Sequence, residues 1–498
     1  MPQVKDFAFW RSRAEQLPIE GRAFIDGAYV AAADGNTFAC ISPIDGALLT
    51  QVASCGAAEV DRAVSVARQR FETGVWRGLN PRQRKEILLR WAALIREHAD
   101  ELALLETLDA GKPIADTTSV DIPGAAYCVQ WFAEAIDKVG GEIAPVDHHL
   151  VGMVTREPLG VVAAVVPWNF PLLMAAWKFA PALAAGNCVI LKPSEKSPLS
   201  ALKVAQLAHA AGVPAGVFNV LPGAGATGKL LALHGDVDCL AFTGSTAVGK
   251  QLMQYSGQSN LKRVWLELGG KSPNIVMPDC PDMGRAARTA AGAIFYNMGE
   301  MCTAGSRLLV HRSIKDAFVQ RVLAEAAAYK PGNPLDPATS MGAIVDQRQL
   351  ERVLSYIEVG KSEADLLLGG QQVRHETGGY YIDPTVFDVA RPQARIATEE
   401  IFGPVLSVIS FDTLDEAIAL ANASEYGLAA GIWTSDLTTA HRAARQLRAG
   451  TVWVNCYDEG GDMNLPFGGY KQSGNGRDKS LHALDKYLEV KSTLIRLQ

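Results

Sequence analysis

The amino-acid sequence predicts an α/β protein whose sheets are mostly parallel. Short apolar runs alternate with helical stretches from about residue 155 to 280, and a second α/β segment follows from about 270 to 455. The runs in the first region are continuously apolar, as in strands covered by helices on both faces. No repeat, low-complexity tract or Pro/Gly/Ser linker divides the 498 residues, so we expect interleaved or tightly packed domains.

Helices are predicted first along the chain, from about residue 57 to 110. Pro81 opens a run in which apolar residues recur at helical spacing, and Gly111-Lys112-Pro113 ends it. The apolar positions of this run are Ile87, Leu88, Trp91, Leu94 and Ile95. This region is therefore predicted to contribute helices rather than strands.

Four buried strands are predicted next, and each ends in a loop of unusual chemistry. The strands are 161–166, 188–191, 217–221 and 239–242, with helical segments such as 199–211 between them. The loops are 167–171, 192–195, 222–225 and 243–246. Because ligands bind beyond the carboxyl ends of parallel strands, four such loops at one end of a sheet predict a binding site.

The second half adds strand-like pieces at 307–311 and 404–409. The tail, from Tyr487 to Arg496, alternates apolar and polar residues, which is typical of a half-exposed strand. A terminal strand of this length needs a partner edge, and another subunit could supply it.

Composition and charge argue against several classes of protein. The net charge is 47 − 53 = −6, which disfavours a nucleic-acid binder. No run of 18 apolar residues occurs, and the first residues lack the pattern of a secretory signal, so no membrane association is expected. The eight cysteines form no CxxC pair and the nine histidines no HExxH pattern, so no disulfide framework and no metal are expected. A reduced, cytoplasmic setting is the expected one.

Two glycine loops are candidates for binding the phosphates of a dinucleotide. Residues 223–228 match GxGxxG between a strand and a helical run, and residues 244–249 also follow a strand and open a helix. One of the two is expected to be only a tight turn, with the later loop favoured as the phosphate site. After a third strand, Glu195 could accept hydrogen bonds from a ribose and repel a 2′-phosphate, with Lys192 beside it; the alternative is an exposed charged turn.

A cysteine and a glutamate are candidates for the chemistry. Cys302 lies among small residues after the helical stretch 284–298, and Glu267 follows an apolar run and precedes two glycines. A catalytic thiol must be reachable and must become a thiolate, and a buried glutamate with a raised pKa could act as the general base. The alternatives are a buried cysteine that only packs and a glutamate in an ion pair or helix cap.

Taken together and in this order, seven motifs resemble the NAD(P)-dependent aldehyde dehydrogenase superfamily over nearly the whole chain. The motifs are 167–171 (PWNFP), 192–195 (KPSE), 242–245 (FTGS), 266–271 (LELGGK), 299–306 around Cys302, 399–404 (EEIFGP) and 466–469 (PFGG). The resemblance implies an aldehyde dehydrogenase fold, which has a Rossmann-like cofactor domain, a second α/β catalytic domain and a β oligomerisation arm. It places the cofactor domain at 1–138 and 156–266, the catalytic domain at 267–477 and the arm at 139–155 and 478–498.

The resemblance also implies roles for individual residues. Cys302 resembles the nucleophile of the family, and Glu267 resembles its general base. Asn169, together with the backbone N–H of Cys302, resembles the oxyanion hole. Lys192 is also assigned to this catalytic group. NAD is the implied cofactor, with NADP less favoured. The implied cofactor contacts are Pro167, Trp168, Lys192, Ser194, Glu195, Gly225, Gly244, Ser245, Leu268, Gln349, Arg352, Glu400 and Phe402, of which Gly225 reaches at most the adenine side.

The implied substrate residues are Phe170, Trp177, Met301, Tyr457, Asp458, Glu459, Asp462 and Phe467. Met301 departs from the Cys or Val of many members, which bears on specificity. The acids between 458 and 462, with Tyr457 as an aromatic wall, favour a cationic tail. Residues 472–484 resemble the bacterial branch that oxidises aminoaldehydes of polyamine breakdown, such as γ-glutamyl-γ-aminobutyraldehyde and 4-guanidinobutyraldehyde; the alternative for the acids is a solvated loop face.

Three other readings remain open at this point. The first is a general aliphatic or aromatic aldehyde dehydrogenase, and the second is a CoA-acylating one, which the retained Glu267 disfavours because that base activates water. The third is a non-catalytic structural protein, which intact Cys302, Glu267 and Asn169 disfavour. The expected partners are a small aldehyde and further copies of the chain, as a homodimer or homotetramer.

Overall fold

The computed structural model describes residues 5–459 and 462–498. Residues 1–4, at the start of the predicted cofactor domain, and residues 460–461, in the predicted loop over the substrate entrance, lie outside the described residues.

The strands, numbered along the chain, are β1 Ala23–Ile25, β2 Ala28–Val30, β3 Thr37–Ile41, β4 Leu48–Ala53, β5 Glu142–Ala144, β6 Leu150–Pro158, β7 Val161–Val165, β8 Cys188–Lys192, β9 Phe218–Val220, β10 Cys239–Thr243, β11 Arg263–Glu267, β12 Pro273–Val276, β13 Arg307–His311, β14 Asp365–Leu368, β15 Gln372–Val373, β16 Tyr381–Ile382, β17 Thr385–Asp388, β18 Val405–Phe411, β19 Ala429–Trp433, β20 Thr451–Val454 and β21 Leu488–Arg496.

The α-helices are α1 Phe7–Glu15, α2 Ala57–Thr73, α3 Pro81–Glu97, α4 Ala99–Ala110, α5 Ile114–Asp116, α6 Ile122–Ala135, α7 Pro171–Ala184, α8 Leu199–Ala211, α9 Gly225–Leu233, α10 Thr246–Gln258, α11 Met283–Phe295, α12 Lys315–Ala326, α13 Gln347–Glu363, α14 Arg395–Thr398, α15 Leu414–Asn422 and α16 Leu437–Gln446. Short 3-10 helices include Tyr296–Gly299 and Leu481–Tyr487.

The first large sheet has seven strands in the order β11-β10-β7-β8-β9-β1-β2. The five strands from β11 to β9 are parallel, and the hairpin of β1 and β2 adds an antiparallel edge through Phe24 and Val220. Strands β7, β8 and β10 are buried at every position, which is why their sequences are continuously apolar. The predicted α/β class and the four predicted strands are confirmed.

The second large sheet also has seven strands, in the order β14-β17-β18-β13-β12-β19-β20. All neighbours are parallel except β14, which runs antiparallel to β17 at one edge. The strands predicted at 307–311 and 404–409 are β13 and β18 in its middle. Each large sheet is covered by helices, as parallel sheets require.

The tail forms a small sheet with its own chain. Strand β21 pairs antiparallel with β6 over nine residues, from Leu488 opposite Pro158 to Arg496 opposite Leu150, and β5 lies on the far side of β6. The predicted partner edge, which another subunit could also have supplied, is β6 of the same chain. The other edge of β21 pairs with no described strand and exposes Val490 and Leu494.

Local signals end the predicted helical region where expected. Helix α3 begins at Pro81, where Asn80 and Gln83 form a reciprocal capping box, and α4 ends at Gly111 with φ of 75°. A Cβ at Gly111 would lie 2.7 Å from the Ala343 carbonyl oxygen, so this turn also needs glycine for the close approach of the second half of the chain.

Within the described residues, no helix is both long enough and apolar enough to cross a membrane. All eight cysteines are free thiols, five of them buried.

Candidate active site

A cavity of about 720 Å³ lies between the two large sheets. Its first wall is made by loops that follow strands of the first sheet, at 167–169, 243–248 and 268–269. Its second wall is made by Cys302 and residues 399–402, which precede strands of the second sheet, and by one face of α13. Two of the four loops predicted to form a site, 167–171 and 243–246, thus line the same cavity as the predicted nucleophile, and the loops 192–195 and 222–225 do not.

The N-terminus of α10 forms one end of this cavity. Ser245 caps the helix by accepting a hydrogen bond from the Val248 N–H, and residues 243–248 all line the cavity. A Cβ at Gly244 would overlap the Phe242 ring, so glycine is required in this turn. Free N–H groups at a helix start bind phosphate oxygens, and this end therefore fits the pyrophosphate of a dinucleotide such as NAD.

The opposite wall contains Glu400 and Phe402, both of which were predicted to contact the cofactor. Gln349 Nε2 donates to the Phe402 carbonyl oxygen at 2.7 Å, and Arg352 Nη2 donates to the Glu400 carbonyl oxygen at 2.6 Å. Phe402 has φ of 62° and its ring stands edge-on to Trp168, with 5.3 Å between centroids. All five residues line the cavity, and Gln349 and Arg352 hold the backbone of this wall in place.

Two consecutive glycines bring Glu400 and Cys302 together. A Cβ at Gly269 would overlap the Glu400 carboxylate, and one at Gly270 would lie 2.6 Å from the Cys302 carbonyl oxygen. The Gly270 N–H donates to Glu400 Oε1 at 3.0 Å. Burial raises the pKa of Glu400 to about 7, an effect that this hydrogen bond opposes.

Glu267, the predicted base, ends β11 and is 3% exposed. Its Oε1 has no hydrogen-bond partner among the described residues, so it can accept a proton. Burial, and then the nearby Asp478 carboxylate, raise the pKa of Glu267 to about 8, while Lys178 and Lys486 act in the opposite direction. A carboxylate with this pKa is matched to accepting a proton near neutral pH.

Behind Glu267 lies a buried charge triad that the sequence did not indicate. Lys178 on α7 and Lys486 near the C-terminus both donate to Asp478, and all three side chains are at most 4% exposed. Burial alone would raise the pKa of Asp478, but the two ammonium groups hold it below its usual range. The triad supplies the charges that tune Glu267.

We expect Asp478→Asn to lower the free energy of unfolding by about 3–5 kcal/mol, because it leaves two lysines buried without a counter-charge. Urea denaturation followed by circular dichroism measures this change. The matched control is Asp485→Asn, in the short helix that also contains Lys486, because the exposed pair of Asp485 with Arg156 contributes little. Equal stability of Asp478→Asn and the wild-type protein would contradict the prediction.

Asn169, the predicted oxyanion donor, is fixed from both ends. Its side-chain Nδ2 donates to the Glu300 carbonyl oxygen at 2.8 Å, which leaves its second N–H for a ligand. Its own carbonyl oxygen accepts from Lys112 Nζ at 3.0 Å and from Asn297 Nδ2 at 3.1 Å. Lys112, whose role was not predicted, also pairs with buried Asp121 at 2.9 Å. A preorganised amide of this kind can stabilise a developing oxyanion.

Cys302 lines the cavity and is partly exposed there. Burial raises its pKa well above the ordinary value, and the carboxylates of Glu267, Asp458 and Glu400 add to this effect. The resting group is therefore a thiol rather than a thiolate. It needs a base to take its proton at the moment of attack, and Glu267 is suited to that task.

Four predicted cofactor contacts do not line the described cavity: Lys192, Ser194, Glu195 and Gly225. Lys192 is buried at the end of β8, with its ammonium 3.4 Å from the Glu195 carboxylate. Gly225 starts α9, and nearby Thr227 donates to the Cys55 carbonyl oxygen, so this turn packs against the N-terminal region. These four assignments stay predictions.

Two of the predicted substrate residues, Tyr457 and Glu459, have surroundings that differ from those expected of an acidic and aromatic substrate entrance. Tyr457 is 4% exposed and donates to the Thr303 carbonyl oxygen at 2.8 Å, so it supports the Cys302 segment from behind. Glu459 pairs with Arg285 at 2.9 Å, which neutralises its charge locally.

The roles of the other six substrate residues stay predictions, and the structure gives their surroundings. The Asp458 carboxylate accepts from Thr303 Oγ1 at 3.0 Å, one residue from the nucleophile. Trp177 and Phe467 pack together with 5.3 Å between ring centroids. Asp462 is exposed. Phe170 lies beside Asn169 against Lys112, and Met301 is buried on the other side of Cys302.

Comparisons with known proteins agree with this geometry. The model of the aldehyde dehydrogenase family matches residues 29–493. The chain is 53% identical over 492 residues to the NADP/NAD-dependent aldehyde dehydrogenase PuuC of Escherichia coli K12, covering 99% of both chains. It is 75% identical to γ-glutamyl-γ-aminobutyraldehyde dehydrogenase of Burkholderia cenocepacia J2315, with a TM-score of 0.98 over 99% of this chain and 100% of that one.

A further solved structure, indole-3-acetaldehyde dehydrogenase complexed with NAD⁺, is 62% identical, with a TM-score of 0.98 over 99% of this chain and 100% of that one. It binds the cofactor that the cavity and the α10 N-terminus fit. With a family model matched over most of its length and these relatives aligned almost end to end, the chain belongs to the aldehyde dehydrogenase family.

Proposed function

We propose that this NAD(P)-dependent aldehyde dehydrogenase oxidises aldehydes with a nitrogen-bearing tail, namely ω-amino, γ-glutamylamino or guanidino aldehydes of polyamine catabolism, to their acids. The observation that carries the proposal is the position of Asp458. Its carboxylate accepts a hydrogen bond from Thr303, the residue that follows Cys302 in the chain. An anion on the approach to the nucleophile attracts a cationic substrate. A relative 75% identical is named for a γ-glutamylamino aldehyde, which supports the same class.

In the proposed mechanism Glu267 takes the proton of the Cys302 thiol, and the sulfur attacks the aldehyde carbon. The carbonyl oxygen becomes an oxyanion, which accepts hydrogen bonds from Asn169 Nδ2 and the Cys302 backbone N–H. Because both donors are fixed before the substrate arrives, they stabilise the charge without reorganisation. Residues 243–248 would hold the pyrophosphate of NAD, and Glu400 would hold its nicotinamide ribose. When bound, NAD supplies the acceptor for the hydride that leaves the substrate carbon.

The resulting thioester on Cys302 is then hydrolysed. Glu267 first releases the thiol proton to solvent and then takes a proton from a water molecule, whose oxygen forms a bond to the acyl carbon. The bond between carbon and sulfur breaks, the acid leaves, and the sulfur recovers a proton from Glu267. The retained base Glu267 can activate water, which supports water as the acyl acceptor over CoA. Product formation that requires CoA would contradict this route.

A panel of aldehydes tests the substrate class. NADH formation is measured with 3-aminopropionaldehyde, 4-guanidinobutyraldehyde, hexanal, benzaldehyde and indole-3-acetaldehyde. We expect the highest kcat/KM with the nitrogen-bearing aliphatic aldehydes. Indole-3-acetaldehyde stands for a second candidate class, neutral aromatic aldehydes, which the paired rings of Trp177 and Phe467 could accommodate. A higher kcat/KM for hexanal or benzaldehyde than for 3-aminopropionaldehyde would contradict the proposal.

The preference for NAD over NADP is proposed to depend on Glu195. Its carboxylate, 3.4 Å from the Lys192 ammonium, would accept from the ribose hydroxyls and repel a 2′-phosphate. We expect Glu195→Gln to raise the ratio of kcat/KM with NADP to that with NAD about tenfold, because the repulsion is removed. Glu358→Gln, at an exposed acid on α13, is the control. A wild-type enzyme with equal kcat/KM for both cofactors would rule out the proposal.

We also propose the predicted domain division and a homodimer or homotetramer. The unpaired edge of β21, with exposed Val490 and Leu494, supports a contact between copies there. Eight free cysteines support a reducing, cytoplasmic setting. Sedimentation equilibrium measures the oligomeric state.

A further inference from the structure

A lysine stands over Trp177 and Phe467, two aromatic residues that were predicted to contact the substrate. Lys479 Nζ lies 4.9 Å from the centroid of the Trp177 ring and 5.6 Å from that of Phe467. Trp177 is one turn beyond Met174 on α7, and Met174 lines the same cavity as Cys302. The ammonium therefore lies over a ring that is one helical turn from a residue of the Cys302 cavity.

The position of Lys479 is fixed by its backbone. The neighbouring Asp478 exchanges two backbone hydrogen bonds with Phe467, and the Ser480 N–H donates to the Met463 carbonyl oxygen at 2.7 Å. Lys479 and Ser480 have φ of 59° and 49°, in the left-handed region that non-glycine residues seldom adopt. Such conformations persist only where the surroundings enforce them, and they gather at ligand-binding segments.

Burial lowers the pKa of the Lys479 ammonium, and the carboxylates of Asp458 and Asp462 oppose that effect. Among the described residues, no carboxylate lies within 4.0 Å of Lys479 Nζ and no acceptor forms a hydrogen bond with it. Its partners are the two aromatic rings, which attract a cation without neutralising it. Asp458 and Asp462 are close enough to act on the charge through space, so opposite charges stand near each other at this mouth.

This arrangement refines the proposed substrate class. A tail that carries only an ammonium or guanidinium group would be attracted by the two acids and repelled by Lys479. A tail that ends in an α-amino acid carries a carboxylate and an ammonium on one carbon, and it meets a complementary charge for each. A site can discriminate between similar substrates when its charges attract the charged groups of one substrate and repel those of the other.

We propose that Lys479 is a specificity residue that binds the carboxylate of a zwitterionic substrate tail, while Asp458 and Asp462 face its ammonium group. The inference rests on the proposed function and selects, within it, aldehydes with an α-amino acid head, such as the γ-glutamylamino aldehydes. Simple aminoaldehydes are then the poorer substrates.

The test compares three aldehydes in four proteins. The aldehydes are γ-glutamyl-γ-aminobutyraldehyde, with a zwitterionic tail, 3-aminopropionaldehyde, with a cationic tail, and neutral propanal. The proteins are the wild type, Lys479→Met, Lys479→Arg and Lys5→Met. Methionine keeps much of the volume that packs on Trp177, arginine keeps the charge, and Lys5 is a matched control because it also lies over a tryptophan, 5.6 Å from the Trp10 ring.

We expect Lys479→Met to lower kcat/KM for the zwitterionic aldehyde about tenfold, mainly through KM, because one charge contact is lost. The same change should leave propanal oxidation unaltered and leave or raise that of 3-aminopropionaldehyde. Lys479→Arg should keep most of the activity with the zwitterion, and Lys5→Met should match the wild type with all three.

Two outcomes would overturn the proposal: an equal loss with all three aldehydes, which indicates a structural role, or no change with the zwitterion. The proposed function fails separately, if the wild-type enzyme prefers propanal to both nitrogen-bearing aldehydes. In that event Lys479 is still judged by the ratio of the zwitterionic to the cationic aldehyde, which must fall in Lys479→Met.

Discussion

Cys302→Ala is expected to abolish NADH formation, with kcat reduced by at least about 10⁴-fold, the scale seen when a catalytic nucleophile is removed. Without the sulfur no covalent adduct forms, and neither Asn169 nor Glu267 can replace it. The cavity keeps its shape because Gly270 packs against the Cys302 backbone, which the substitution leaves in place. NAD binding, measured by quenching of tryptophan fluorescence, should therefore persist.

Cys280→Ala is the matched control for this substitution. Cys280 is also partly exposed, and it lies outside the cavity. Its removal should leave kcat unchanged. Comparable activity of Cys302→Ala and the wild type would exclude the covalent mechanism, whereas loss of NAD binding in Cys302→Ala would indicate damage to the fold.

Glu267→Gln is expected to lower steady-state kcat by about 10²–10⁴-fold, the range for loss of a general base. Both proposed steps of Glu267 are affected, because glutamine accepts no proton from the thiol or from water. In the wild type, kcat should rise with pH and level off above about pH 8, since the carboxylate must be deprotonated and its pKa is about 8. The variant should lose this dependence.

Hydroxylamine provides the control for the hydrolytic step. It attacks a thioester without a protein base, so it should raise the deacylation rate of Glu267→Gln more than that of the wild type. Any acyl enzyme that accumulates is detected by mass spectrometry as an adduct on Cys302. A wild-type pH profile in Glu267→Gln would show that another group is the base.

The fold was predictable where the signal is local. Continuous apolar runs such as 161–166 and 188–191 identified strands because burial on both faces leaves no polar positions. The hairpin of β1 and β2 was not identified, because three-residue strands carry too short a pattern. Its place next to β9 depends on pairing between residues about 200 positions apart, which no local pattern encodes.

The site was predictable to a similar extent. Resemblance supplied Cys302, Glu267 and Asn169, and nine of the thirteen implied cofactor contacts line the cavity. The buried charges near Glu267 and Asn169, namely Lys178, Asp478, Lys486 and Lys112, were not predicted. In the sequence each of them looks like a surface residue, and only the fold buries them together. Glu459 was predicted to be an acid of the substrate entrance, and its ion pair was not foreseen. Its partner Arg285 lies 174 residues earlier in the chain, so no local pattern links the two.

The triad behind Glu267 has a consequence for how the enzyme is assembled. Lys178 cannot form its ion pair until Asp478, 300 residues later in the chain, has been synthesised. Asp478 in turn pairs with Lys486, which lies eight residues beyond it. Contacts between such distant segments form late in folding, because the loop between them costs entropy to close. We therefore expect the charges around Glu267 to be completed, and the enzyme to become active, only as the final segment of the chain docks.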